Sequence, residues 1–175
     1  KECFSFLTLH NLNYSFMKVI ILYDSYYGNT EAIARAIGKA FADGKESGIF
    51  HINSFALEFN ESVDLIIIGS PTRKFQVSPG MAKFIRNIPR TSIDGKKFAA
   101  FDTRISVDDL NSGFLRKMIH LFGYAAEPLA KKMQRRGGYM LVEPEGFYVD
   151  DTEGPLKEGE EERAFQWAEK IKNML

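Results

Sequence analysis

Four short apolar runs punctuate the chain: VIILY at 19–23, LIII at 65–68, FAAF at 98–101 and YMLV at 139–142. Each is continuous rather than alternating, the pattern of strands covered on both faces, as in a parallel sheet. A weaker fifth candidate, IFHINSF, lies at 49–55. Between the runs the apolar spacing becomes helical. Ile33, Ile37, Ala40 and Phe41 fall on one helical face, and Met81, Phe84, Ile85 and Ile88 on another. Ser78 and Pro79 give the second of these an N-cap and a first-turn proline. Phe114, Leu115, Met118, Ile119 and Phe122 predict a third helix, and Ala164, Ala168, Ile171 and Leu175 a C-terminal one. Strands alternating with helices predict an α/β fold, a doubly wound sheet between two helical layers. Neither a repeat nor a linker divides it, so residues 17–175 read as one domain.

The first 16 residues, KECFSFLTLHNLNYSF, fall outside this rhythm. They lack the basic start, long apolar centre and small-residue cleavage site of a secretory signal. We expect residues 1–16 to be an N-terminal extension and Met17, directly before the first strong strand, to open the domain. The competing expectation is an added edge strand, since Phe4, Phe6 and Leu9 partly alternate.

Composition acts mainly by exclusion. Lys plus Arg and Asp plus Glu both total 23, so the basic balance of a nucleic-acid binder is absent. The lone Cys3 cannot form an internal disulfide or build a cysteine-rich metal site, which predicts a reducing, cytoplasmic setting. No apolar run approaches the roughly 20 residues of a membrane span. His10, His51 and His120 are scattered and read as structural or exposed, and no metal site is expected. Charge is nevertheless segregated. Arg116, Lys117, Lys131, Lys132, Arg135 and Arg136 form a basic region; Asp150, Asp151, Glu153, Glu158, Glu160, Glu161 and Glu162 form an acidic one. Solvated faces, with acids at a helix N-terminus, are the simpler reading, and a docking surface the other.

The informative stretch follows the first strand. Ser25, Tyr26, Tyr27, Gly28, Asn29 and Thr30 make a loop that runs straight into a helix. In an open α/β sheet, ligands bind at such strand ends. Gly28 allows close backbone approach, Ser25, Tyr27 and Thr30 bring hydroxyls, and a helix N-terminus favours an anion. A phosphate can rest there without lysine or arginine. Other phosphate-handling designs fail on particular residues. Neither G-x-G-x-x-G nor G-x-x-x-x-G-K-[ST] occurs. The strand at 65–68 runs into Gly69-Ser70 where a phosphoacceptor domain needs aspartate, and Cys3 lies far from any phosphatase loop.

The stretch YDSYYGNTEAIARAI resembles the FMN phosphate loop of the flavodoxin family, roughly [ST]-x-[TYS]-G-x-T after the first strand. DLIIIGSPTRKFQVSPGMAKFI resembles that family's third strand and the loop beside the isoalloxazine ring. KFAAFDTRIS is similar to its fourth strand and second flavin loop, and PEGFYVDDTEGPLKEGEEERAFQWAEKI to its C-terminal part. The resemblance runs from Met17 to Leu175. It implies a five-stranded parallel sheet of order 2-1-3-4-5 with FMN as cofactor. By position it puts Ser25, Tyr26, Tyr27, Gly28, Asn29 and Thr30 on the FMN phosphate. Ser70, Pro71, Thr72, Arg73, Lys74 and Phe75 fall on the ring or ribityl chain, and Asp102, Thr103 and Arg104 on the other side. Plainer roles stand beside these: Pro71 shaping a turn, Phe75 in the core, Arg104 pairing with Asp102 or Asp108.

Two departures bear on function. FDTRIS offers no outward aromatic where flavodoxins that serve as carriers usually stack one, which leaves Phe75, Tyr124 or a partner's side chain to cover the ring. Such carriers also tend to be strongly acidic, and this chain is neutral. Electron transfer with a redox partner protein or a small-molecule acceptor is the function the resemblance implies. The alternative is an FMN-dependent NAD(P)H:quinone-type oxidoreductase, motivated by Arg73, Lys74 and Arg104, which could meet an anionic cofactor. A flavin-binding interaction module without turnover is a third reading.

Overall fold

A computed structural model describes residues 18–42, 46–56, 63–107, 113, 117 and 123–175. Residues 1–16 and the apolar positions of the helix expected at 114–122 lie outside the described residues, as do His10, Asp108 and His120.

The strands are β1 (Lys18–Tyr23), β2 (Glu46–His51), β3 (Val63–Arg73), β4 (Gln76–Val77), β5 (Lys97–Ile105), β6 (Tyr139–Met140) and β7 (Glu145–Val149). The helices are α1 (Asn29–Ala40), α2 (Pro79–Asn87), α3 (Ala126–Gln134) and α4 (Glu160–Lys172). The sheet runs β2-β1-β3-β5-β6 with every neighbour parallel, which is the expected 2-1-3-4-5 order. Two details differ from five plain strands. β4 is only the return arm of a hairpin on β3. The fifth position is divided between two short strands: β6 pairs with the start of β5 and β7 with its end. The run expected at 139–142 is a strand only over Tyr139 and Met140; Leu141 N–H still donates to the Phe98 carbonyl at 2.9 Å, and the chain bends at Val142 before β7 begins at Glu145.

Burial explains the continuous apolar runs. Leu65, Ile66, Ile67 and Ile68 are all fully buried, alternating between two cores. Ile66 and Ile68 face α2 and α3; Leu65 and Ile67 face α1 and α4. Each such side chain is worth roughly 1.5–3 kcal/mol on burial, so a one-residue slip of register is strongly disfavoured. Phe101 crosses from β5 onto β3 and meets Phe147 and Trp167 edge-on. Its ring occupies the space beside Gly69, where an added Cβ would sit 2.0 Å from it.

α2 begins as the sequence predicts: Ser78 Oγ accepts from Met81 N–H at 3.1 Å, with Pro79 in the first turn. α3 was not expected, and its start shows why. Ala125 is its N-cap and has no side chain to cap with. The Ala125 N–H donates instead to Thr72 Oγ1 at 2.9 Å, and the Ala126 N–H to Asp102 Oδ2 at 2.7 Å. Caps from two strands more than 20 residues away leave no local signal.

Two outcomes follow from this packing. Gly69→Ala overpacks Phe101 and lowers stability by about 1–3 kcal/mol, read as a lower urea midpoint at unchanged slope. Thr72→Val strands the Ala125 N–H and costs about 1–3 kcal/mol in the same measurement on flavin-free protein.

Candidate functional site

A cleft of about 270 Å³ opens at the carboxyl ends of β1, β3 and β5, where the strand order reverses. Three segments converge on it: Ser25, Tyr26, Tyr27, Asn29 and Thr30; then Pro71, Thr72, Arg73, Lys74 and Phe75; then Thr103 and Arg104. Ile105, Tyr124, Val149 and Thr152 complete the lining.

The first segment is braced from behind. Asp24 is buried at the end of β1, where Ser78 Oγ donates to its Oδ2 at 2.5 Å and His51 Nε2 lies 3.4 Å from its Oδ1. The Gly28 N–H donates to Ser25 Oγ at 3.1 Å, closing the loop on itself. Gly28 then caps α1 with φ of 88°, a left-handed conformation that a glycine adopts without steric cost. No side chain caps α1, so its first-turn N–H groups stay available beside the Ser25, Tyr27 and Thr30 hydroxyls. Thr30 Oγ1 shares a buried 2.8 Å hydrogen bond with Thr103 Oγ1, joining the first segment to the third. Asn29 Nδ2 donates to the Glu153 carbonyl at 2.9 Å and draws in the turn that carries Thr152.

The second segment is a tight hairpin. Thr72 pairs with Val77 and Arg73 with Gln76, leaving Lys74 and Phe75 as the turn. Both have positive φ, 48° and 65°, in a turn type that favours Asn-Gly. Strain of order 1–3 kcal/mol per residue is therefore held at the lip of the cleft. Ser70 anchors the base: its buried Oγ accepts from Ser78 N–H at 3.0 Å and donates to the Pro71 carbonyl at 3.1 Å. Arg73 folds back so that its guanidinium lies 4.6 Å from the Tyr26 ring centre. Tyr26 and Tyr27 remain 47% and 46% exposed, so the mouth keeps an aromatic rim.

The third segment alternates along β5. Thr103 points to α1, whereas Asp102 and Arg104 point to α3. Asp102 is fully buried and accepts from Arg104 Nε at 2.5 Å, Ala126 N–H and Thr72 Oγ1. Burial pushes its carboxyl up from the usual range, while Arg104 opposes that rise. Arg104 lies 4.0 Å from the Tyr124 ring centre, and Tyr124 Oη donates to the Ile105 carbonyl at 3.1 Å. Burial likewise raises the Tyr124 hydroxyl, again against Arg104.

Of the residues expected at the site, Gly28, Ser70 and Asp102 do not line the cleft. Gly28 sets the helix start, Ser70 ties down the hairpin, and Asp102 supports Thr72 and Arg104. The pairing of Arg104 with Asp102, weighed as a plain role, is present, yet Arg104 also lines the cleft. Four lining residues were not in the expected set. Ile105 is one position beyond the FDTR motif, and Tyr124 enters the sequence reading only as a ring cover. Val149 and Thr152 arrive through β7 and the turn after it, which no local motif marks.

Comparison with known proteins gives a consistent picture. The flavodoxin domain family model matches residues 20–136. A flavodoxin from Clostridium saccharobutylicum is 29% identical over 167 residues, covering 91% of this chain and 98% of that one. The crystal structure of oxidised flavodoxin 1 from Bacillus cereus superposes with a TM-score of 0.69 at 22% identity, covering 90% of this chain and 99% of that one. A flavodoxin from the domain Archaea gives 0.62 at 24% identity, over 89% and 99% of the two chains. The structural likenesses carry the fold; the family match spans β1 to the end of α3, through all three cleft segments. On that match the chain belongs to the flavodoxin family, FMN-binding proteins of electron transfer.

Proposed function

We propose that the cleft holds FMN end to end and that the protein exchanges electrons with a redox partner at the cleft mouth. Ser25, Tyr26, Tyr27, Asn29 and Thr30 would hold the phosphate, at the helix start that Gly28 sets. Pro71, Thr72, Arg73, Lys74 and Phe75, tied down by Ser70, would flank the ring and ribityl chain on one side, and Thr103 and Arg104, with Asp102 behind them, on the other. The donor set fits those three parts. Hydroxyls and a helix N-terminus without a side-chain cap suit an anion. The linked Thr30 and Thr103 hydroxyls suit a polyol stem. Pro71, Phe75, Ile105 and Val149 suit a flat ring.

The observation that carries the reading is the uncapped start of α1 opening into the same cleft as that apolar wall. Bound FMN supplies the redox chemistry. The chain's own part is to orient it, to exclude water from its inner face and to leave an edge within reach of a partner. Arg73 and Lys74 stand on one lip; Asp151 and Glu153 flank Thr152 on the other. With both signs at the mouth and a net charge of zero, docking would rest on local pairing rather than on the field of the whole molecule. No helix among the described residues is long and apolar enough to cross a membrane. The lone Cys3 supports a reducing, cytoplasmic setting.

Titrating flavin-free protein with FMN and with riboflavin, followed by flavin fluorescence, tests the placement. Ser25→Ala removes a hydroxyl expected to meet a charged group, worth about 1.5 kcal/mol, so FMN affinity drops about tenfold. Riboflavin, which lacks the phosphate, binds both proteins alike. Equal losses for the two flavins, or no binding of either by the unaltered protein, would reject it.

A further inference from the structure

A row of polar contacts runs behind the cleft and ends in its wall. It begins at His51, the last residue of β2, whose side chain is 30% exposed. The Asn53 N–H donates to His51 Nδ1 at 3.2 Å, which leaves the neutral imidazole its proton on Nε2. Nε2 stands 3.4 Å from Asp24 Oδ1, and the Tyr23 ring meets the imidazole edge-on with centres 5.4 Å apart. Ser78 Oγ donates to Asp24 Oδ2 at 2.5 Å, the Ser78 N–H to Ser70 Oγ at 3.0 Å, and Ser70 Oγ to the Pro71 carbonyl at 3.1 Å. The row thus leads from an imidazole outside the cleft to Pro71, which lines it.

Asp24 is where the first two cleft segments are rooted. It directly precedes Ser25, and its N–H donates at 3.1 Å to the carbonyl of Gly69, which directly precedes Ser70. α2 also starts against it: a Cβ on Gly80 would sit 2.9 Å from Asp24 Oδ2. The Asp24 side chain is only 10% exposed. Among the described residues, Ser78 and His51 are the side chains that bring its carboxylate a donor. A carboxylate so far from water stays where its donors hold it, and one that loses a donor moves toward solvent. Such a movement of Asp24 carries the start of the first segment with it and changes its distance from the second.

We infer that His51 is a positioning residue of the flavin site. Through Asp24 it fixes the spacing between the helix start that takes the phosphate and the hairpin that flanks the ring. The inference rests on the reading that the cleft holds FMN. It goes further in giving a residue outside the cleft control over how well two parts of one ligand fit at once. FMN spans both segments and needs that spacing. Riboflavin has no phosphate to seat, so it tolerates a shift of the first segment. His51 therefore sets the preference for FMN over riboflavin, and touches neither.

The test compares the unaltered full chain with His51→Ala, His51→Gln, Asp24→Asn and the double variant His51→Ala with Asp24→Asn. Dissociation constants for FMN and for riboflavin are read on each, with the urea midpoint recorded to separate binding from folding. His51→Ala is expected to lower FMN affinity about fivefold while leaving riboflavin within about twofold. His51→Gln keeps a side-chain N–H for Asp24 and recovers FMN affinity to within about twofold of the unaltered protein. The double variant loses no more FMN affinity than Asp24→Asn alone, because His51 acts only through that carboxylate. Unchanged FMN affinity in His51→Ala overturns the inference, as do equal losses for the two flavins. A double variant that shows the full sum of the two single losses overturns it too. If the unaltered protein binds neither flavin, the FMN reading itself falls, and this inference with it.

Discussion

The Asp102 carboxylate accepts hydrogen bonds from Arg104 Nε, Thr72 Oγ1 and the Ala126 N–H, and most of the cleft depends on that meeting. It binds the end of β5 to the end of β3 and to the start of α3. Thr72 takes the neighbouring Ala125 N–H, so two strands together cap a helix that cannot cap itself. A carboxylate with no exposure is costly, and three donors, one of them charged, are what make it tenable. The arrangement is rigid because no member can leave without stranding another.

On the opposite face of β5 a neutral contact does the complementary work. Thr30 and Thr103 share one buried hydrogen bond, which fixes the distance between the first segment and the third. Together with Asp102 it uses both faces of a single strand to hold α1 and α3 on either side of one cleft. The alternation of side chains along β5 therefore separates a polar, helix-terminated end from an apolar end edged by a guanidinium. Gly146 belongs to the same arrangement, since only a residue without Cβ leaves the guanidinium its place.

The second segment behaves differently. It hangs on Ser70 at its base and carries two residues with positive φ at its tip. A rigid wall on the β5 side thus faces a strained lip on the β3 side. Backbone strain persists only where the surroundings over-determine it, and the two-residue ladder of β4 with the buried Ser70–Ser78 bond supplies them.

The layers, the parallel sheet and the position of the cleft follow from local patterns along the chain. Continuous apolar runs require burial on both faces, and the residues that turn a chain at a strand end are local. For the same reason α1 and α2 could be read with their starts, and twelve of the cleft-lining residues lie in three short motifs. The remaining features depend on groups distant in the chain. α3 takes its caps from Thr72 and Asp102, the fifth strand breaks between Met140 and Glu145, and Val149 and Thr152 reach the cleft through β7 and the turn after it. The same holds for the roles within the motifs. Ser70 and Asp102 sit in the predicted loops but face inward, because each satisfies a backbone N–H that folding removes from water. Spacing shows that a polar residue stands at a strand end; only packing shows whether it meets the ligand or supports the residue that does.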